Sequence, residues 1–207
     1  MAGSGTNPAR LSDGHTETLM MEVRMGKVVL DMTMSVNGCV AGPHDEPEGL
    51  HDWFFSPSAE NQRVVEEQMS TIGAMVMGRR TYDMGASQDG FVENPFEVEH
   101  FIVSHGTPDE PAKGETTFTF VSDGVESAVR RARVAAGDRD VVIGGGAQIS
   151  QQCLRAGLVD EIRVAVRPVL IDGGIRLFDN LGGTVTLESI GVVHTPEVTH
   201  LRFKVVR

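Results

Sequence analysis

The sequence predicts one α/β domain built on a mostly parallel sheet, with antiparallel strands at the C-terminal edge and helices on both faces. Two observations lead to this fold class. From residue 28 to residue 166, short apolar runs rich in β-branched residues alternate with helical patterns, which is typical of parallel strands joined by crossover helices. The last two runs, 185–193 and 198–206, are joined only by a turn at Thr195-Pro196-Glu197, which indicates an antiparallel pair.

The composition is that of an ordinary globular protein. The chain has 207 residues, of which 40% are hydrophobic and 23% charged, enough for one domain with a substantial core. A formal net charge of -11 disfavours nucleic acids and anionic membranes as partners. No apolar run approaches the roughly 18 residues of a transmembrane helix. Cys39 and Cys153 lie in apolar surroundings, so we expect buried free thiols. These features predict a cytoplasmic protein that acts on a small molecule.

Residues 1–24 are predicted to be a disordered extension of a domain that covers residues 25–207. The extension is rich in Gly, Ser, Thr and Asn, and it lacks the apolar core of a signal peptide. The first β-rich run follows directly and starts at Val28.

The strands and helices of the domain are delimited by Gly, Pro and capping residues. Strands are predicted at 28–33, 39–41, 74–77, 101–103, 117–121, 141–143 and 162–166. Ser56 as N-cap and Pro57 at the first helical position predict the first helix. Its residue Ile72 would face the core, and Gly73 would end it. Further helices are predicted at 125–136 and 147–156.

The segment Ile143-Gly144-Gly145-Gly146-Ala147 joins a buried strand directly to a helix. Glycines allow a sharp turn and a close approach of the backbone to a ligand. The free N–H groups of a helix N-terminus favour an anion such as a phosphate. A tight turn that only packs the helix on the strand explains the glycines equally well. The segment is not the fingerprint of Rossmann folds, because Ile149 stands where the third glycine is required.

A second strand-to-helix junction lies at Met77-Gly78-Arg79-Arg80-Thr81. Arginine forks and a threonine hydroxyl at a helix start suit a phosphate, although adjacent arginines are also common on solvated surfaces. Two such junctions in one small domain favour a dinucleotide over a mononucleotide. Ser104, just after the next strand, would add a donor at the same edge of the sheet.

Several segments of the sequence resemble the dihydrofolate-reductase-like superfamily. Residues 31–42 are similar to its opening strand and nicotinamide-side loop, and residues 77–83 are similar to its cofactor-phosphate motif. Residues 142–146 are similar to its pyrophosphate turn, and residues 158–170 are similar to a later strand region. The last region looks especially like the branch that contains the C-terminal reductase domain of the bifunctional riboflavin-biosynthesis deaminase-reductase. The resemblance runs from about residue 26 to the end. It implies a three-layer reductase domain over 25–207.

The resemblance implies NADPH as cofactor and hydride transfer to a pteridine-like or ribosylamino-pyrimidine-like substrate. In the riboflavin branch this substrate is of the 5-amino-6-(5-phosphoribosylamino)uracil type. Arg79, Arg80 and Ser104 would meet the adenosine 2′-phosphate, which favours NADPH over NADH. The residues implied for the phosphate bridge are Gly78, Thr81, Gly144, Gly145, Gly146, Ala147 and Gln148. Those implied for the nicotinamide are Thr33, Val40, Ala41 and Ile149.

The proton donor is not assigned by the resemblance. Dihydrofolate reductases place a carboxylate on the first helix, and the matching position here is Gln62. The nearest acids are Glu60 and Asp52, which precedes the aromatic run that starts at Trp53. A carboxylate beside aromatic side chains suits a proton donor, but both acids are also typical of a solvated surface. We take Asp52 and Glu60 as catalytic candidates. Trp53 and Arg167, at the end of a strand, are the candidates for substrate binding.

Two other functions fit parts of the sequence. One is dihydrofolate reduction itself, which the missing helix carboxylate argues against. The other is binding of a dinucleotide or pterin without catalysis, which the missing carboxylate favours. Histidines and cysteines show no metal-ligand spacing, so no metal is expected. The terminal strand pair would either cover a sheet edge or leave one exposed. Because an exposed edge can pair with a second copy of the chain, a homodimer is also considered.

Overall fold

An eight-stranded sheet organises the part of the chain that the computed structural model describes, namely Met1 and residues 26–56 and 58–207. Pro57 and nearly all of the predicted extension at 1–24 lie outside these residues. The strands of the sheet are β1 Val28–Ser35, β3 Ile72–Gly78, β4 Glu99–Val103, β5 Phe118–Val121, β6 Asp140–Ile143, β7 Glu161–Arg167, β9 Thr186–His194 and β10 Thr199–Val206. Two short strands, β2 Cys39–Ala41 and β8 Ile175–Arg176, form a separate antiparallel ribbon.

Helices cover both faces of the sheet. Within the described residues, the α-helices are α1 Ala59–Thr71, α2 Arg79–Ser87, α3 Val125–Ala136 and α4 Ala147–Arg155. Val76 of β3 packs in the larger core with residues of α3 and α4. Its neighbours Met75 and Met77 point to the opposite face, where they pack with Tyr82 of α2. Val65 of α1 packs with β7 on this second face. The predicted three-layer α/β fold is confirmed.

The strand order is β5-β4-β3-β6-β1-β7-β10-β9. All neighbours from β5 to β7 are parallel. β10 is antiparallel to β7, and β9 is antiparallel to β10, as the sequence predicts for the C-terminal strands. Because parallel strands end at one edge of a sheet, the residues that follow β3, β6, β1 and β7 meet at this carboxyl edge.

The first helix differs from the sequence prediction at both ends. Its N-cap is Ser58 and not Ser56. Ile72 has already left the helix, because it pairs with β6 as the first residue of β3. Gly73 therefore does not end the helix but lies inside the strand. A Cβ at Gly73 would come within 2.8 Å of the Ala136 Cα, so the glycine allows α3 to pack closely on β3.

No helix in the described ranges is long and apolar enough to cross a membrane. Cys39 and Cys153 are free and buried, as predicted. Burial raises the pKa of the Cys153 thiol to about 12.

Candidate functional site

The two predicted phosphate junctions lie side by side at the carboxyl edge of the sheet. β3 and β6 are neighbouring strands. Gly78 N donates a hydrogen bond to Gly145 O at 3.2 Å, and Gly144 N donates to Val76 O at 3.1 Å. The turn after β6 is therefore bonded to the end of β3, and α2 and α4 begin at adjacent points.

Close packing accounts for the glycines of the turn after β6. A Cβ at Gly145 would lie 2.5 Å from the Thr81 Cγ2, and a Cβ at Gly144 would lie 2.6 Å from the Met75 Cε. Gly146 has a φ of 87°, a conformation that favours glycine. Thr81 and the glycine turn are thus in direct contact, so the two motifs lie close enough to bind one ligand.

Both helices at this edge begin without a side-chain cap. Their N-caps are Gly78 and Gly146, which have no side chain to accept a hydrogen bond from the first turn. The first N–H groups of each helix have no partner further back in that helix, and the positive ends of the two helix dipoles lie together. This arrangement favours an anion. Gln148, in the first turn of α4, is exposed, whereas Ala147 is buried.

Arg79, Ser104 and Gly106 form a hydrogen-bonded group beside α2. The Arg79 Nη1 and the Ser104 Oγ both donate to Gly106 O, at 3.1 and 2.6 Å. The Arg79 Nε donates to the Asp83 Oδ1 at 2.7 Å. The structure therefore brings Arg79 and Ser104 together from different elements. A guanidinium has more donors than these two bonds use, so Arg79 can also bind an anion.

Arg80 lies on the exposed side of the same helix start. Its Nη1 is 3.1 Å from the Asp45 Oδ1, in the loop that follows β2. Both side chains are largely exposed to solvent, so this ion pair contributes little to stability. Arg80 can exchange Asp45 for another anion at small cost.

The residues predicted for the nicotinamide lie around β1, β2 and α4. Thr33 is buried in β1, and its Oγ1 accepts a hydrogen bond from the Trp53 Nε1 at 3.0 Å. Val40 and Ala41 are half-buried in β2. Ile149 is buried in α4 and contacts the junction after β3, where its Cγ1 would be 3.0 Å from a Cβ at Gly78.

A polar cluster lies at the carboxyl end of β7. Trp53 is only 5% exposed and packs edge-on against His200, with ring centroids 4.8 Å apart. The Asn61 Nδ2 donates to Trp53 O at 3.4 Å and to the Glu197 Oε2 at 3.1 Å. The Arg167 Nη1 donates to Glu197 O at 3.2 Å. The structure thus brings together the two predicted substrate-binding residues, Trp53 and Arg167, and adds Asn61 and Glu197.

The two predicted catalytic acids lie outside this cluster. Asp52 is exposed in a short 3-10 helix, Asp52–Phe55. Glu60 is exposed in the first turn of α1 and accepts a hydrogen bond from the Ser58 Oγ at 3.1 Å. The carboxylate inside the cluster belongs to Glu197. A hydrogen bond from the Ser56 Oγ, at 3.0 Å, lowers the pKa of Glu197, so this group is ionised at neutral pH.

Comparison with known proteins assigns the family. Residues 26–201 match the family described as the RibD C-terminal domain. The chain belongs to this family. The uncharacterized protein YwjB of Bacillus subtilis is 24% identical over 177 residues, which cover 86% of this chain and 97% of YwjB.

Solved structures show the same fold. A putative riboflavin biosynthesis protein from Shewanella sp. PV-4 has a TM-score of 0.73 and 21% identity, over 87% of this chain and 99% of that one. The riboflavin biosynthesis reductase Rib7 of Saccharomyces cerevisiae has a TM-score of 0.57 and 14% identity, over 88% and 90%. Dihydrofolate reductase from Enterococcus faecalis, complexed with NADP(H), has a TM-score of 0.55 and 14% identity, over 87% and 97%. The predicted dihydrofolate-reductase-like fold is confirmed, as is its branch.

Proposed function

We propose that this RibD C-terminal-domain protein is an NADPH-dependent reductase. Its substrate would be a pyrimidine of the 5-amino-6-(5-phosphoribosylamino)uracil type or a pteridine-like relative. The observation that carries the proposal is the adjacency of two uncapped helix starts at β3 and β6, with Arg79 and Arg80 on one of them. Membership of the RibD C-terminal domain family and the fold of riboflavin-pathway reductases support it.

The residues at the carboxyl edge fit the charge of a dinucleotide phosphate. Arg79, Arg80 and Ser104 would bind the 2′-phosphate, and this choice of residues favours NADPH over NADH. Thr81 and the N–H groups that follow Gly145 would bind the pyrophosphate. Bound NADPH would supply the hydride, and the chain would supply orientation and a site that excludes water.

A titration with NADPH and with NADH, followed by nicotinamide fluorescence, tests the cofactor. Arg79→Ala should weaken NADPH binding about tenfold or more and change NADH binding little, because a charge-assisted pair to the 2′-phosphate is lost. Arg131→Ala is the matched control, since Arg131 is an exposed arginine of α3 paired with Asp123. Equal binding of both nucleotides, unaffected by Arg79→Ala, would contradict the proposal.

A second candidate is a nucleotide-binding protein without turnover. The observation that favours it is the absence of a carboxylate at Gln62, next to Asn61 in α1. Oxidation of NADPH in the presence of 5-amino-6-(5-phosphoribosylamino)uracil, compared with dihydrofolate, separates the two. Binding of NADPH with no oxidation on either compound would favour the second candidate.

A further inference from the structure

Three buried polar atoms near the carboxyl end of β7 have no hydrogen-bond partner among the described residues. They are the Asn61 Oδ1, the Arg167 Nε and the His200 Nε2. Most buried polar groups in folded proteins are paired, so several unpaired atoms in one place indicate a missing partner. Two of the three belong to residues that also contact Glu197.

The hydrogen bonds already made fix what each of these two atoms can do. The amide nitrogen of Asn61 donates to the Glu197 Oε2 and to Trp53 O, so its Oδ1 is left as an acceptor. Asn61 is only 1% exposed, and this acceptor therefore has no bulk water beside it. The Arg167 Nε carries one N–H and can only donate. The two atoms are one unpaired acceptor and one unpaired donor, and both are buried, so a ligand reaches them only when the side chains around them move.

Glu197 adds a second acceptor. Its two carboxylate oxygens accept one hydrogen bond each from the Ser56 Oγ and the Asn61 Nδ2, and a carboxylate has lone pairs for more. The turn that carries Glu197 is itself fixed, since Thr195 N donates to Val198 O at 2.9 Å. Glu197 is half-exposed, so its free lone pairs are accessible to a ligand.

The cluster lies close to the proposed cofactor site. Trp53 connects it to Thr33, which lies on β1 between β6 and β7. Two strand spacings separate β6 from β7, which is about 10 Å. The end of β1 therefore lies between the proposed nicotinamide side and the cluster.

We propose that Glu197, Asn61 and Arg167 recognise the N–H and C=O edge of the heterocyclic substrate, an inference that rests on the proposed reductase function. The Glu197 carboxylate and the Asn61 Oδ1 accept two N–H groups, and the Arg167 Nε donates to a carbonyl oxygen. A uracil-type ring presents this edge as N–H, C=O and N–H. A pterin presents an amino group, a ring N–H and a carbonyl. Glu197, which lies in the turn between β9 and β10, is thus a substrate-recognition residue.

Calorimetric titration of the full chain with 5,6-diaminouracil tests the inference. Glu197→Gln should weaken binding about tenfold or more, because the amide has one acceptor oxygen and no charge. Glu188→Gln, which changes an exposed acid on β9 of the same hairpin, should leave binding within about twofold. The 1,3-dimethyl derivative lacks both ring N–H groups and should bind weakly to all three proteins. A pterin probe that binds more tightly, with the same dependence on Glu197, supports the inference and assigns the substrate to the pteridines.

Other outcomes overturn the inference or the proposed function, and they can be told apart. Normal NADPH binding with equal affinity of wild type and Glu197→Gln for 5,6-diaminouracil would overturn the inference alone. If Glu197→Gln weakened binding of the dimethyl derivative by the same factor and also lowered the melting temperature, Glu197 would have a structural role. This result would also overturn the inference. Loss of binding in Asp52→Asn or Glu60→Gln instead would assign recognition to those acids. Failure of wild type to bind NADPH would refute the proposed function.

Discussion

Replacement of Asp31 by asparagine is expected to stabilise the protein at neutral pH. Asp31 lies on β1, in register with Arg163 of β7, on the face that α1 covers. It lines a cavity of about 40 Å³ together with Gln68 and His200. Burial raises the pKa of Asp31 to about 6; Glu161 adds to the rise, and Arg163 opposes it. The ionised form of Asp31 is therefore disfavoured in the folded protein.

The pKa gives the size and the sign of the effect. A change from 3.8 to about 6 corresponds to about 3 kcal/mol. Because the folded protein binds this proton more tightly than the unfolded chain, the free energy of unfolding falls as the pH rises from about 4 to about 6. Asparagine resembles the protonated acid. Asp31→Asn should match wild type near pH 4 and be more stable by up to about 3 kcal/mol at pH 7.

Glu161, on the same face, gives the opposite expectation. Burial opposes its ionisation, but hydrogen bonds from the Lys27 Nζ, at 2.7 Å, and the Arg163 Nε, at 2.8 Å, lower the pKa of Glu161 to about 2. Its contribution is present above about pH 4.5 and is lost as the pH falls towards 2. Glu161→Gln should therefore destabilise the protein by about 3 kcal/mol at neutral pH.

Urea unfolding followed by circular dichroism, at several pH values between about 2 and 8, measures both effects. When Asp31 is replaced, Arg163 still pairs with Glu161 at 2.8 Å and with Asp140 at 3.6 Å, so no buried cation is left unpaired. If Asp31→Asn is less stable than wild type at pH 7, Asp31 is a required ion partner of Arg163, and the reasoning from burial is refuted.

Three further predictions concern other parts of the molecule. Gly145→Ala should lower stability by about 1–3 kcal/mol and weaken NADPH binding, because the added carbon lies 2.5 Å from the Thr81 Cγ2; an unchanged melting curve would contradict this. Cys153, whose pKa is raised to about 12, should resist alkylation until the chain unfolds, as mass spectrometry can check. We also propose that β9, an edge strand with Ile190 and Val192 exposed, pairs with a second copy. Ile190→Lys should then shift sedimentation towards the monomer, and a monomeric wild type would refute the pairing.

Local patterns were sufficient to predict most of the fold. The strand at 141–143 and the glycines after it are adjacent in sequence, and the structure has the same order of strand, turn and helix. The end of α1 was harder to predict, because Ile72 continues the helical spacing of apolar residues. Its pairing with β6 decides the outcome, and such tertiary pairing is not visible in a local pattern.

The polar cluster could not be predicted from local patterns, because its parts are distant in the chain. Asn61 and Glu197 are 136 residues apart. The sequence predicted that the last two strands pair, but not which of them lies beside β7. The structure shows that β10 is the neighbour of β7 and antiparallel to it, and this pairing places Glu197 next to Arg167.

This topology also explains how a carboxylate can reach the polar cluster although α1 does not provide it. Helix α1 provides the uncharged residue Asn61 in place of a carboxylate, and the Asn61 amide donates a hydrogen bond that orients Glu197. The antiparallel strand β10 brings the turn to the carboxyl edge, next to β7 and three strand positions from β6. In the proposed function, anion binding at the ends of β3 and β6 and recognition of the heterocycle at the end of β7 would therefore use different segments. Substitutions in the turn should change the choice of substrate and leave the nucleotide site intact.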